Sequence, residues 1–152
     1  MQYSNFDSIG KSISKLGFGL MRLPLLDKND NGSIDIELTK KMVDVFMERG
    51  FTYFDTSFAY HNGKSEGALK KAVVDRYPRD KFTIATKFPT FAVQTEDQVE
   101  GIFAQQLRNL GSDYVDYYLM HMLNDVEAWK RLEKMGIREW IAEKKASGAI
   151  RQ

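Results

Sequence analysis

Phe51-Thr52-Tyr53-Phe54-Asp55, followed by the loop Thr56-Ser57-Phe58-Ala59-Tyr60-His61-Asn62-Gly63-Lys64 and then Ser65-Glu66, is the stretch that decides the fold. Its first five residues are mostly aromatic or β-branched and read as a strand that ends in a carboxylate. Upstream, Leu38, Met42, Val45 and Phe46 are predicted to share the buried face of a helix over Ile36 to Arg49. Asp35 suits its N-cap, Glu37 the positive first turn, and Gly50 the C′ position. Downstream, Ser65 is placed to cap a second helix from Glu66 to about Asp75, carrying Ala68, Leu69, Ala72 and Val73. A strand therefore lies between two amphipathic helices.

The same alternation extends in both directions. Phe82 to Phe88 reads as a strand stopped by Pro89, and Thr95 to Leu110 as a helix closed by Gly111. Tyr114 to Met120 is strongly β-prone, and Asp125 to Met135 and Ile137 to Ser147 are helices split at Gly136. Ala149-Ile150-Arg151-Gln152 opens a further strand. Toward the N-terminus, residues 2–15 read as a hairpin turning at Ser8-Ile9-Gly10-Lys11. Leu16 to Leu20 reads as a buried strand whose Gly17 and Gly19 allow close approach to the backbone. A hairpin followed by β-α-β-α-β-α-β-α implies right-handed βαβ units and a parallel sheet. Two architectures fit, an open doubly wound sheet or part of an eight-fold (β/α) barrel. An intact barrel takes typically about 250 residues, so pattern alone favours the open sheet for 152 residues.

Composition narrows the function classes. Apolar residues make up 43% and charged residues 28%, as in a soluble globular domain. Lys+Arg 22 against Asp+Glu 21 leaves a formal charge of +1, which gives no reason to expect nucleic acid or an anionic membrane as a partner. With no cysteine in the chain, disulfides, thiolate catalysis and cysteine-ligated iron–sulfur clusters are excluded within it. No signal peptide or membrane span is visible, and the cytoplasm is the expected location.

The predicted strands end in ionisable groups: Asp55, Lys87 and His121. In parallel α/β folds those ends share the ligand-binding face, and Tyr60 lies in the loop between Asp55 and Ser65. A free phenol titrates near pH 10 and is a poor acid at neutral pH. An adjacent ammonium stabilises the phenolate and eases donation of the proton to a developing alkoxide. Asp55 is placed to pair with Lys87, and an imidazole can orient a carbonyl oxygen or relay a proton. The set protonates an oxygen; it lacks the activated nucleophile that acyl transfer requires.

Four motifs in order resemble the aldo-keto reductases: Leu16-Gly17-Phe18-Gly19-Leu20-Met21; Phe54 to Tyr60 with Ser65-Glu66; Ala85-Thr86-Lys87; and Tyr114 to His121. The resemblance runs the length of the chain. It implies the N-terminal half of a (β/α)8 TIM barrel, strands one to four and the start of strand five, that reduces aldehydes or ketones with NADPH. It further implies a catalytic tetrad of Asp55, Tyr60, Lys87 and His121, with Tyr60 as general acid. The nicotinamide end would be held by Gly19, Leu20, Met21 and Asp55. Leu20-Met21-Arg22-Leu23-Pro24 also resembles a bacterial subgroup that often carries a C-terminal iron–sulfur segment, for which this chain has no cysteine. Family members continue through strands five to eight, which bring further cofactor contacts. These 152 residues are thus expected to be inactive alone and to self-associate through exposed strand edges. A non-catalytic half-barrel fragment and a nucleotide-sensing binding module are the alternatives.

Other signals read as structural. Asp27 to Asp35 resembles a calcium-binding loop, but Leu38 stands where its bidentate Glu belongs, so a polar turn is expected. His61 reads as a surface-loop residue. Lys70-Lys71 and Lys144-Lys145 read as solvated helix faces, and Trp129 and Trp140 as packing residues or pocket walls.

Overall fold

The computed structural model describes residues 3–6 and 11–152; the predicted turn at Ser8-Ile9-Gly10 lies outside the described residues. Strands β1 (Tyr3–Phe6) and β2 (Lys11–Ser14) form the expected antiparallel pair. A second, parallel sheet holds β3 (Gly17–Gly19), β4 (Tyr53–Asp55), β5 (Thr83–Pro89) and β6 (Tyr117–His121) in the order β3-β4-β5-β6. Among the described residues five α-helices, α1 (Ile36–Glu48), α2 (Ser65–Leu69), α3 (Glu96–Leu110), α4 (Val126–Lys134) and α5 (Ile137–Ala146), connect and cover these strands. Because each new strand adds on the same side, right-handed crossovers keep the helices on one face. A doubly wound sheet needs a reversal of strand order. None occurs here among the described residues, where the four strands form a singly wound parallel sheet.

Registers alternate side chains between the two faces. Phe18, Phe54 and Ile84 are neighbours across β3, β4 and β5 and point toward the helices. Phe46 of α1 meets Phe18 and Phe54 with ring centroids 5.4 and 5.3 Å apart. A second cluster places Phe88, Val99, Leu132 and Ile137 between β5 and α3 to α5. The opposite face carries Gly19, Tyr53, Asp55, Ala85, Lys87, Tyr117, Leu119 and His121 by the same alternation. Near the C-terminus Ile150 forms an isolated parallel bridge with Val115: Val115 N donates to Ala149 O, Arg151 N to Val115 O and Gln152 N to Asp116 O, each at 3.0 Å. No helix among the described residues is long and apolar enough to cross a membrane.

Helix ends follow the sequence closely. Asp35 accepts the Leu38 amide at 2.9 Å, Asp125 accepts that of Ala128 at 2.7 Å, and Thr95 with Gln98 forms a capping box. Gly50 and Gly111 terminate α1 and α3 at φ 78° and 63°, a region closed to most side chains.

Three expectations are corrected. The buried face of α1 is Thr39, Val43 and Phe46, while Leu38, Met42 and Val45 are 42–48% exposed. The helix is apolar on two stripes, and the predicted one lies beside the outer edge of β3, where Leu16, Phe18, Met42, Val45 and Phe51 line a groove of about 470 Å³. Ser65 does not cap α2: its hydroxyl is bonded to Thr56 Oγ1 at 2.8 Å and donates to Leu20 O at 3.2 Å, so tertiary partners have taken it. That helix passes into a wider π turn, Lys70–Val74, before Asp75. Lastly, β5 continues past Lys87 to Pro89.

Candidate active site

The end of β4 places Asp55 two residues along the sheet from Lys87, which β5 presents on the same face. Lys87 Nζ donates to Asp55 Oδ1 at 2.6 Å and to Thr56 O at 2.7 Å. Its side chain is only 13% exposed, so the ammonium is held by two acceptors rather than by water. It also lies 4.8 Å from the centroid of the Tyr60 ring, over its face. His121, the last residue of β6, meets Tyr60 edge-on with centroids 5.6 Å apart at 87°, and its ring centroid lies 5.9 Å from that of Phe91. All four predicted residues therefore meet at one end of the sheet.

The loops that deliver Tyr60 and His121 carry the non-glycine residues of positive φ among those described: His61 at 53°, Asn62 at 55° and Met122 at 54°. Strained backbone of this kind persists only where surrounding bonds hold it. Here Thr90 Oγ1 donates to His121 O, and Ser57 Oγ is hydrogen-bonded to His121 Nδ1 at 2.9 Å. Burial pushes the His121 imidazole below its usual range, the Lys87 charge pushes it the same way, and Asp55 opposes both.

His61 is not a surface residue. It is 3% exposed; its Nε2 accepts the Leu23 amide at 3.1 Å and its Nδ1 donates to Asn31 O at 2.8 Å. It thereby ties the Tyr60 loop to the segment after β3. The carboxylates of Asp27 and Asp30 accept the amides of Asn29 and Gly32 at 2.9 and 2.8 Å, the bonding of a polar turn.

The predicted cofactor residues are placed differently from one another. Gly19 is the register partner of Asp55, and a Cβ there would meet nothing within 4 Å, leaving open space on the site face. Leu20 is buried in the core and Met21 is half-exposed, so the first can offer a ligand only backbone. Gly17 has another reason: a Cβ would stand 2.7 Å from the Tyr53 ring. Tyr53 and Tyr117 contact each other across Ala85, with centroids 5.6 Å apart. Burial, helped by the charge of Asp55 and by Tyr117, pushes the Tyr53 phenol up to about 12. Tyr53 is thus held protonated and is a poor candidate for proton transfer.

Behind Lys87, on the helix side of β5, lies a polar network that sequence reasoning missed. Glu66 is fully buried and accepts from Thr86 Oγ1 at 2.7 Å, Gln106 Nε2 at 2.8 Å and Asn109 Nδ2 at 3.0 Å. Burial pushes its carboxyl up, and these donors oppose that. Gln106 also donates to the backbone oxygen of Lys87 at 3.0 Å and accepts from Tyr118 Oη at 2.5 Å. Ser57 and Gln106 gave no distinguishing signal in the sequence, since their partners are 64 and 12–40 residues away.

The model of the Aldo/keto reductase family matches residues 15–152. An NAD/NADP-dependent indole-3-acetaldehyde reductase of Schizosaccharomyces pombe is 30% identical over 117 residues, 71% of this chain and 38% of that protein. Among solved structures, the thermostable aldo-keto reductase Tm1743 with the inhibitor epalrestat superposes with TM-score 0.69 at 25% identity, covering 99% of this chain and 52% of that one. An aldo-keto reductase from Klebsiella pneumoniae in complex with NADPH gives 0.66 at 21% identity, over 94% of this chain and 45% of that one, a likeness of fold. The chain spans about half the length of these solved structures and 20–60% of the curated relatives.

Proposed function

Because the chain belongs to the aldo/keto reductase family, we propose that its residues build one half of an NADPH-dependent carbonyl reductase that converts aldehydes or ketones to alcohols in the cytoplasm. The observation that carries this reading is the Asp55–Lys87 ion pair at 2.6 Å with the ammonium over the Tyr60 ring and His121 beside it. Tyr60 is the general acid and gives its phenolic proton to the substrate oxygen. Lys87 supplies positive charge next to the phenol as negative charge develops there, and Asp55 with Thr56 O holds the ammonium in place. His121, kept neutral by burial and by Lys87, orients the carbonyl oxygen by hydrogen bonding.

NADPH would supply the hydride when bound. The open face at Gly19, the carboxylate of Asp55 and the segment at Leu20 and Met21 are the residues that would hold its nicotinamide end. The K. pneumoniae complex with NADPH and the cofactors named for the S. pombe relative support NADPH as the cofactor.

The half-barrel reading rests on the sequential strand order, the one-sided helices and the share of relatives covered. In a closed barrel the wall facing Lys87 comes from the opposite half. The 152 residues alone are therefore inactive. Carbonyl-dependent NADPH oxidation, measured for this chain and for the longest polypeptide that contains it, tests this. Turnover in the longer protein only is expected; equal turnover by both would overturn the half-barrel reading, and none in either would overturn the reductase reading.

A further inference from the structure

We propose that Ser57 is a positioning residue that sets the tautomer of His121, making its Nε2 the hydrogen-bond donor of the site. The inference rests on the reductase reading for its purpose, but the geometry stands independently of it. Ser57 is 0% exposed, so water does not reach its hydroxyl. Among the described residues, the one acceptor within reach of that hydroxyl is His121 Nδ1 at 2.9 Å; the other contact of Ser57 Oγ is the Ala59 amide, itself a donor, at 3.5 Å. If Nδ1 carried the proton, two donors would face one hydroxyl oxygen and the hydroxyl proton would be orphaned in the interior, which is costly. The consistent arrangement has Ser57 Oγ–H donating to a bare Nδ1.

A neutral imidazole bare at Nδ1 is protonated at Nε2. The Nε2 atom makes no hydrogen bond among the described residues and is not buried, so its N–H is free for a ligand. Such a ring donates to a carbonyl oxygen; the other tautomer would present a lone pair to that oxygen and repel it. Ser57 thus selects for an acceptor atom in the substrate without touching it. The charged or titratable groups facing the ring are Lys87, Asp55 and Tyr60.

The chain carries its own control, because it has two histidines and the structure gives them opposite tautomers. Backbone amides always donate, so the Leu23 amide leaves His61 bare at Nε2 and protonated at Nδ1.

Long-range ¹H–¹⁵N correlation spectra of the 152-residue chain at neutral pH read both rings at once. The expected result is His61 protonated at Nδ1 and His121 at Nε2. Ser57→Thr, which keeps the hydroxyl, should preserve the pattern. Ser57→Ala should leave His61 unchanged, mix the His121 tautomers and raise its titration midpoint by about half to one pH unit, the size of one neutral hydrogen bond. The proposal is overturned by wild-type His121 protonated at Nδ1, or by a Ser57→Ala spectrum in which both rings match wild type. If Ser57→Ala unfolds, the His61 signature is lost with it, and the wild-type and Ser57→Thr spectra decide the matter. None of these outcomes depends on turnover, so failure of the reductase reading would show separately.

Discussion

Replacing Gln106 by Leu should cost more than most single substitutions in this fold, although it leaves the packed volume nearly unchanged. The amide is fully buried and joins four partners: Glu66, the Thr86 hydroxyl, the Lys87 carbonyl and the Tyr118 hydroxyl. Leucine removes one of the donors to a buried carboxyl, and a hydrogen bond to a charged group contributes about 1.5–3 kcal/mol. It also strands the Tyr118 hydroxyl without its acceptor, a desolvation cost of about 1–3 kcal/mol. The two together come to roughly 2.5–6 kcal/mol, a large share of the about 5–15 kcal/mol typical of a domain. Urea unfolding followed by circular dichroism should show the midpoint falling by about 2 M, taking a slope of about 2 kcal/mol/M. Adding Tyr118→Phe removes the stranded hydroxyl, so the double variant should recover about 1–2 kcal/mol relative to the sum of the single losses. A loss below about 1 kcal/mol for Gln106→Leu, or strict additivity in the double variant, would refute the network as a determinant of stability.

Glu66 gives a pH prediction of definite sign. Its folded carboxyl holds a proton more tightly than the unfolded chain does, so its contribution is complete below the unfolded value and is lost as pH rises through the higher folded one. Stability of Glu66→Gln relative to wild type should therefore improve as pH rises from about 4, and a difference constant from acid to neutral pH would contradict it. The edge of β3, unpaired among the described residues, and the groove lined by Leu16, Met42 and Val45 should pair with a second copy of this chain. Sedimentation should show mass rising with concentration and falling again in Val45→Lys; a monomer at every concentration would count against edge pairing.

Most of the architecture is written in local pattern. Alternating aromatic and β-branched runs, Asp35, Thr95 and Asp125 as caps, and glycines at positions 50, 111 and 136 mark where elements start and stop. The orientation of α1 was not legible, because Leu38, Met42 and Val45 form as good a stripe as Thr39, Val43 and Phe46, and a threonine gave the true face away only through its bond to Asp35 O. Asp55, Tyr60, Lys87 and His121 were legible as ionisable groups at strand ends or in the loop that follows. The Asp55–Lys87 pair was legible as well, but the other bonds that hold the site were not. His61 depends on Leu23 and Asn31, Ser65 on Leu20 and Thr56, and Lys87 on Gln106, partners that only the tertiary fold brings near.

The central claim is that Tyr60 gives a proton to a carbonyl oxygen beside Lys87 and His121. Its most direct test is the turnover of Tyr60→Phe against wild type in the longest polypeptide that contains these residues, with NADPH affinity measured in parallel. A fall in kcat of about 10²–10⁴-fold is expected, the usual cost of removing a general acid, with cofactor affinity nearly unchanged. Undiminished turnover by the phenylalanine variant would contradict it.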